Sequence, residues 1–231
     1  MSLTADISAG TARESTPVDS RRARTRVTAV ALMVGSLVTA GLTAWHPEPD
    51  SHDHFAYDVV EPIRTEWWAW HVFGGIGMAA AAVAASLAVC VLVPRRGAML
   101  ATTGAVLTSL GGLAFAAGLA AEGVLFAYAT DTDALSAEAG RELMHHANEN
   151  PELYVAAIIP GAILLTLGPL LLAGALWRAG SAPRWLVVVW AVTNIVGFVT
   201  PFGLAATVIN LTFTAMLLGI AAILWRTTTN H

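Results

Sequence analysis

The chain has 231 residues, of which 56% are hydrophobic and 12% charged, with a mean hydropathy of +0.64. Such a composition is too apolar for an ordinary soluble domain and fits a protein that crosses a membrane several times. The net charge is −4, all twelve basic residues are arginine, and the single cysteine excludes an internal disulfide and a cysteine-based zinc knuckle.

Residues 1–26 are polar, show no apolar period and read as a disordered cytoplasmic tail. The run Arg21-Arg22-Ala23-Arg24-Thr25-Arg26 then precedes a first span over 27–44, about 18 apolar or small residues and just long enough to cross a bilayer. That basic run is short and abuts apolar sequence, so no nucleic-acid partner is expected. A cleaved signal peptide ending at Leu42-Thr43-Ala44 is the competing reading, and Ser20-Arg21-Arg22 hints at an export signal. The apolar run exceeds the usual signal length of about 7–15 residues and follows a long tail, which favours a retained anchor.

Residues 45–66 are polar and acidic, and with His46, His52, His54 and three prolines they read as an irregular loop. A second span covers 67–93, opening on Trp67, Trp68 and Trp70 as an interfacial aromatic belt. The turn Pro94-Arg95-Arg96-Gly97 leads into a third span over 99–128, longer than a bilayer needs, so it tilts or projects. A second acidic loop follows over 131–150, with a short surface helix across 136–147. Asn150-Pro151-Glu152 has the residues of a helix start: a capping Asn, Pro at the first helical position and an acid in the first turn.

The fourth span, 153–177, contains Pro160 and Pro169, each of which removes a backbone donor and tends to kink a helix. After a basic turn over 178–184 comes a short fifth span, 185–200. A continuous helix from 185 to 225 would be about 60 Å long, twice the hydrocarbon core, so Thr200-Pro201-Phe202-Gly203 must turn. The sixth span is 202–225. The expected organisation is thus a tail over 1–26, a six-span membrane domain over 27–226 and a cytoplasmic stub over 227–231.

Arginine placement sets the orientation. Arg13, Arg21, Arg22, Arg24, Arg26, Arg95, Arg96, Arg178, Arg184 and Arg226 fall on one side of a six-span chain, and only Arg64 and Arg141 on the other. The positive-inside rule puts both termini in the cytoplasm and both acidic loops outside, in a bacterial cell (inner) membrane. Gly104, Gly111 and Gly118 recur every seven residues as a stripe for close helix approach, and Gly74, Gly75 and Gly77 serve the outer end of the second span in the same way.

The ionisable residues least expected in spans are His71 and Glu122. If the turn is symmetric about the Arg96–Gly97 bond, residues whose numbers total 193 are level, and His71 is level with Glu122 near the outer edge of the hydrocarbon. Such a pair could move a proton, ligate a metal or simply fix helix packing through a hydrogen bond. The candidate metal ligands are His71, Glu122, His52, His54, His145 and His146, all at the outer side. No motif calls for a cofactor; were a metal bound, imidazole and carboxylate would suit zinc or copper. There is no His-Glu-x-x-His, no Gly-x-Ser-x-Gly and no phosphate-cradling glycine loop, and no catalytic residue can be assigned. Asn194 and Asn210, with Pro160, Gly161 and Pro169, are the features a transporter would use.

Trp45-His46-Pro47-Glu48-Pro49-Asp50, Trp68 with His71, Arg95-Arg96-Gly97, and Leu176-Trp177-Arg178-Ala179-Gly180 with Pro183-Arg184-Trp185 form a series of signposts. Together they resemble a broad group of uncharacterised six-span integral membrane proteins from actinobacteria. The resemblance implies fold and membrane location and carries no catalytic residue. The expected fold is therefore an all-α polytopic membrane bundle. The expected role is an interaction, accessory or sensing component, without enzymatic activity, whose partners are the lipid bilayer and another membrane protein. A small transporter or permease is the alternative, and a membrane-embedded metal-dependent enzyme with an outward-facing His/Glu site is a third.

Overall fold

Helices form wherever the apolar runs allow them, and they extend further than those runs at several ends. The structure, a computed structural model, describes residues 17–46, 56–200 and 203–229, the side chains of 17, 18, 153 and 154 excepted. Its long helices are α1 (Pro17–Trp45), α3 (Arg64–Leu92), α4 (Ala98–Ala129), α6 (Glu152–Ala179), α7 (Arg184–Val199) and α8 (Gly203–Arg226); two short ones, α2 (Tyr57–Val60) and α5 (Ala137–Glu149), lie between them. No strand occurs among the described residues.

Several boundaries differ from expectation for local reasons. Helix α1 starts at Pro17, well before the apolar run, because proline suits the first helical position and arginine is a good helix former. Part of the expected 45–66 loop is helical: α2 is followed by a 3₁₀ turn, Glu61–Ile63, that runs into α3. Ser136 caps α5 by accepting from the Ala139 amide. Asn150 closes the other end of α5 instead of opening α6: its amide nitrogen donates to the His146 carbonyl at 2.9 Å. Helix α6 runs through Pro160 and Pro169 without a break. Helices α7 and α8 are separate, as the length argument requires; Pro201 and Phe202 of the expected turn lie outside the described residues.

The six long helices alternate in direction and close a ring: α1 on α3, α3 on α4, α4 on α6, α6 on α7, α7 on α8 and α8 back on α1. One end of the ring is basic, carrying Arg26, Arg95, Arg96, Arg184 and Arg226; the opposite end is acidic. The tight turn at the basic end depends on Gly97, whose φ of 101° is a conformation L side chains rarely adopt. A Cβ there would also come within 3.0 Å of the Ala175 carbonyl oxygen.

Small residues let the helices touch through their backbones. A Cβ on Gly111 would lie 2.7 Å from the Leu165 amide, and one on Gly161 2.6 Å from the Phe115 amide, so α4 and α6 approach from both sides of the seam. Helices α1 and α3 meet in the same manner, with Gly35 on Ala81 and Gly77. Such contacts carry dispersion and weak polar attraction where no hydrophobic driving force exists. The main core, with Leu32, Val89, Leu172, Leu176, Trp190 and Ile220, fills the basic end.

A second cluster closes the acidic end. Tyr57 and Val60 of α2 and Met144 and Ala147 of α5 pack over Trp67, Phe126 and Ala129. Trp67 is 0% exposed, so it belongs to this core and not to an interfacial belt, whereas its neighbour Trp68 is 40% exposed. The two arginines at this end both hold partners. Arg141 pairs with Asp58 at 2.6 Å while its guanidinium covers the Tyr57 ring, and Arg64 pairs with Asp131 at 2.5 Å.

Outward faces are apolar, with Phe73, Ile76, Leu110, Val192, Leu204 and Val208 all exposed. In water such a surface would drive aggregation, whereas lipid tails are as apolar as these side chains. Five helical segments, four of them within α1, α4, α6 and α8 and one running from Tyr57 to Leu92, are long and apolar enough to cross a membrane. Helix α7, with 16 residues, reaches only about 24 Å against a hydrocarbon core of roughly 30 Å.

Candidate functional site

The site is an imidazole pair. His71 lies one turn beyond Trp67 on α3 and is 0% exposed. Its Nδ1 hydrogen donates to the Trp67 carbonyl oxygen at 2.8 Å, which leaves Nε2 as the acceptor of a neutral ring. His46 continues the last turn of α1, its backbone amide donating to the Leu42 carbonyl. The His46 and His71 Nε2 atoms stand 3.3 Å apart, so His46 supplies the hydrogen and His71 the lone pair.

The surrounding contacts hold this geometry. The Trp67 ring stacks on His71 with centroids 4.3 Å apart and planes 25° apart, and Phe126 stacks in turn on Trp67. His46 packs tilted against both rings, 5.2 Å from His71 and 5.4 Å from Trp67. Trp70 stacks on Trp45 beside them. From α4, Gly123 presents bare backbone to His71, and a Cβ at Gly123 would collide with the His71 Cβ. The α1–α3 approach through Gly35, Gly74 and Gly77 brings the end of α1 level with the first turns of α3.

Two imidazole nitrogens on one tetrahedral ion, each at about 2.0–2.1 Å, stand roughly 3.3–3.4 Å apart. The His46–His71 separation matches that spacing. The Trp67 carbonyl on Nδ1 is the kind of outer-sphere partner that fixes a ligating ring and raises its basicity. Among the described residues no third histidine, cysteine or carboxylate joins the pair.

The other expected ligands lie elsewhere. The α3–α4 register follows the expected one closely, with Gly112 against Ala82 and Gly123 against His71. Glu122 is therefore level with His71, but one residue of helix turns it about 100° away. It continues the Gly104–Gly111 face of α4, which packs on α6, and neither a hydrogen bond nor an ion pair joins it to His71. Glu122 is 9% exposed as a residue, and its carboxylate makes no hydrogen bond among the described residues. His145 and His146 are exposed on α5, where His146 Nδ1 meets the Asn150 amide nitrogen at 3.3 Å. His52 and His54 lie outside the described residues.

The residues a transport path would use are engaged in packing. The Asn194 amide nitrogen donates to the Thr166 carbonyl, tying α7 to α6, and that of Asn210 donates to Ala206 within α8. Hollows of 360 Å³ and 190 Å³ lie at the basic and acidic ends, and neither borders Pro160 or Asn210. Ser86 and Ser109 bond to each other across the α3–α4 seam, and among the described residues no histidine hydrogen-bonds either hydroxyl.

Sequence reasoning left His46 out of the candidate ligands, although a signal was present. Gly35 in the first span faces the Gly74–Gly77 stretch once the two helices are paired antiparallel, and that register carries His46 to His71. Comparison with protein-family models, curated proteins and solved structures gives no match.

Proposed function

We propose that the chain is a six-span protein of the bacterial cell membrane, with both termini in the cytoplasm and both acidic loops outside, that acts as a sensing or accessory component and not as an enzyme. The observation that carries this is the His46–His71 pair, which joins the first and second spans at the acidic end. Its ligand is a transition-metal ion, zinc or copper, whose site the Nε2 spacing and the Trp67 carbonyl fit. An ion between the two Nε2 atoms, with the His46 proton carried on Nδ1 instead, would bind α1 to α3 more firmly. Two protein ligands suit reversible occupancy better than a permanent structural ion.

The orientation draws support from the arginines. Nine of those described stand at the basic end or on the helix leading into it, and the two at the acidic end are each neutralised by an aspartate. Retention of the first segment is supported by the packing of α1 on both α3 and α8. A sixth crossing by α7 requires local thinning or tilt of its neighbours, at a modest cost per ångström. A permease would need a polar path beside Pro160 and Asn210, and the hydrogen bonds and close packing there weigh against one.

Zinc and copper content of detergent-purified protein, wild type against His71→Ala, tests the proposal. One ion per wild-type chain and none in the variant is expected. Equal content in both, or none in either, removes the metal from the account.

A further inference from the structure

We infer that the groove between α1 and α8 at the basic end is a binding site for an anionic glycerophospholipid. The groove is a hollow of 360 Å³ lined by Val30, Met33, Ala222, Trp225 and Arg226. That volume is within the range of small-ligand sites. The groove is open along its length, and its lining divides by chemistry along the helices: Val30, Met33 and Ala222 form the apolar part toward the hydrocarbon, and Trp225 and Arg226 lie at the α8 end.

A second arginine, Arg26, lies beside Trp225, one of the residues lining the groove. The Arg26 guanidinium lies 5.6 Å from the Trp225 ring centroid, and its Nε donates to the Thr228 hydroxyl at 3.4 Å. Both contacts are with neutral groups, and neither Arg26 nor Arg226 forms an ion pair among the described residues. Arg26 is thus positioned and Arg226 lines the groove, and neither is neutralised among the described residues, at the boundary where α1 enters and α8 leaves its apolar stretch. A phosphate between them with one acyl chain along Val30 and Met33 would satisfy both features of the groove. Basic pockets between membrane helices recognise lipid headgroups in this way, whereas a zwitterionic lipid would place its own cation against the arginines. Free phosphate shares the headgroup chemistry but would leave the apolar part unfilled. The site depends on the two helix ends alone, not on the metal or on which side faces the cytoplasm.

The test is lipid retention by native mass spectrometry after extraction from nanodiscs of equimolar phosphatidylglycerol and phosphatidylcholine. Wild type should retain phosphatidylglycerol on the order of tenfold over phosphatidylcholine. Arg26→Gln with Arg226→Gln should lose that preference, and Met33→Trp, which fills the apolar part with both charges intact, should lose the retained lipid. Arg95→Gln with Arg96→Gln, in another turn of the same end, should behave as wild type. Equal retention of the two lipids by wild type overturns the inference, as does a loss in the Arg95/Arg96 variant matching that in the Arg26/Arg226 variant. Undiminished lipid in Met33→Trp overturns it too. Inorganic phosphate raising the thermal midpoint as much as phosphatidylglycerol would show the ligand to be free phosphate and not lipid.

Discussion

His46 and His71, 25 residues apart in the chain, bring their Nε2 atoms to 3.3 Å because glycines let α1 and α3 approach closely and the Trp67 carbonyl fixes the ring of His71. Each imidazole is presented by a different span. The contact is therefore both a possible ligand pair and a link between helices, and its two roles can be separated by variants that disturb one at a time.

Gly123→Ala keeps both imidazoles and removes their alignment. The added Cβ collides with the His71 Cβ, so α4 or His71 has to move. We expect about 1–3 kcal/mol of destabilisation in detergent, typical of overpacking, together with at least a tenfold weaker zinc affinity by calorimetry. Gly174→Ala is the control, since the nearest atom to its Cβ is 3.9 Å away; it should leave zinc affinity unchanged and stability unchanged or raised by up to about 1 kcal/mol.

Glu122→Gln tests the separation of Glu122 from the pair. The buried carboxylate has no hydrogen-bond partner among the described residues, and a neutral isostere removes the cost of holding a charge there. Thermal unfolding should show unchanged or higher stability, by up to about 1 kcal/mol, with zinc stoichiometry unaltered. A loss of bound metal in this variant would place Glu122 in the site.

Trp67 and Trp68 should differ sharply despite being adjacent. Trp67→Ala opens a cavity beneath α2 and α5 and removes the ring stacked on His71, with an expected cost of about 3–5 kcal/mol. Trp68→Ala, at an exposed position, should cost less than about 1 kcal/mol. Unfolding midpoints of the two variants in the same detergent make the comparison.

A topology reporter fused after His231 should read cytoplasmic, as six crossings and a retained first segment require. A periplasmic reading would mean that only five segments cross, with the first cleaved or α7 lying in the interface.

Heights along the helices were legible in the chain, and azimuths were not. The Pro94–Gly97 turn fixes the α3–α4 register, and His71 does meet α4 at the level expected. A level pairing says nothing of rotation, and at about 100° per residue the choice between Gly123 and Glu122 depends on which face α6 claims. Trp67 read as interfacial because it opens an apolar run; its burial comes from Tyr57 and Met144, whose contacts with it are not visible in any local pattern. The basic and acidic ends were legible because arginine segregation is a property of the whole chain. His46 was missed because Trp45-His46-Pro47 opens a polar stretch, and only the α1–α3 register shows that its ring turns back to His71.

The most direct measurement is the zinc and copper content of the purified full chain beside His46→Ala and His71→Ala, by elemental analysis after dialysis against a trace of the metal. One ion per wild-type chain and none in either variant is the predicted result. No stoichiometric metal in the wild type, or the same content in all three proteins, would contradict it.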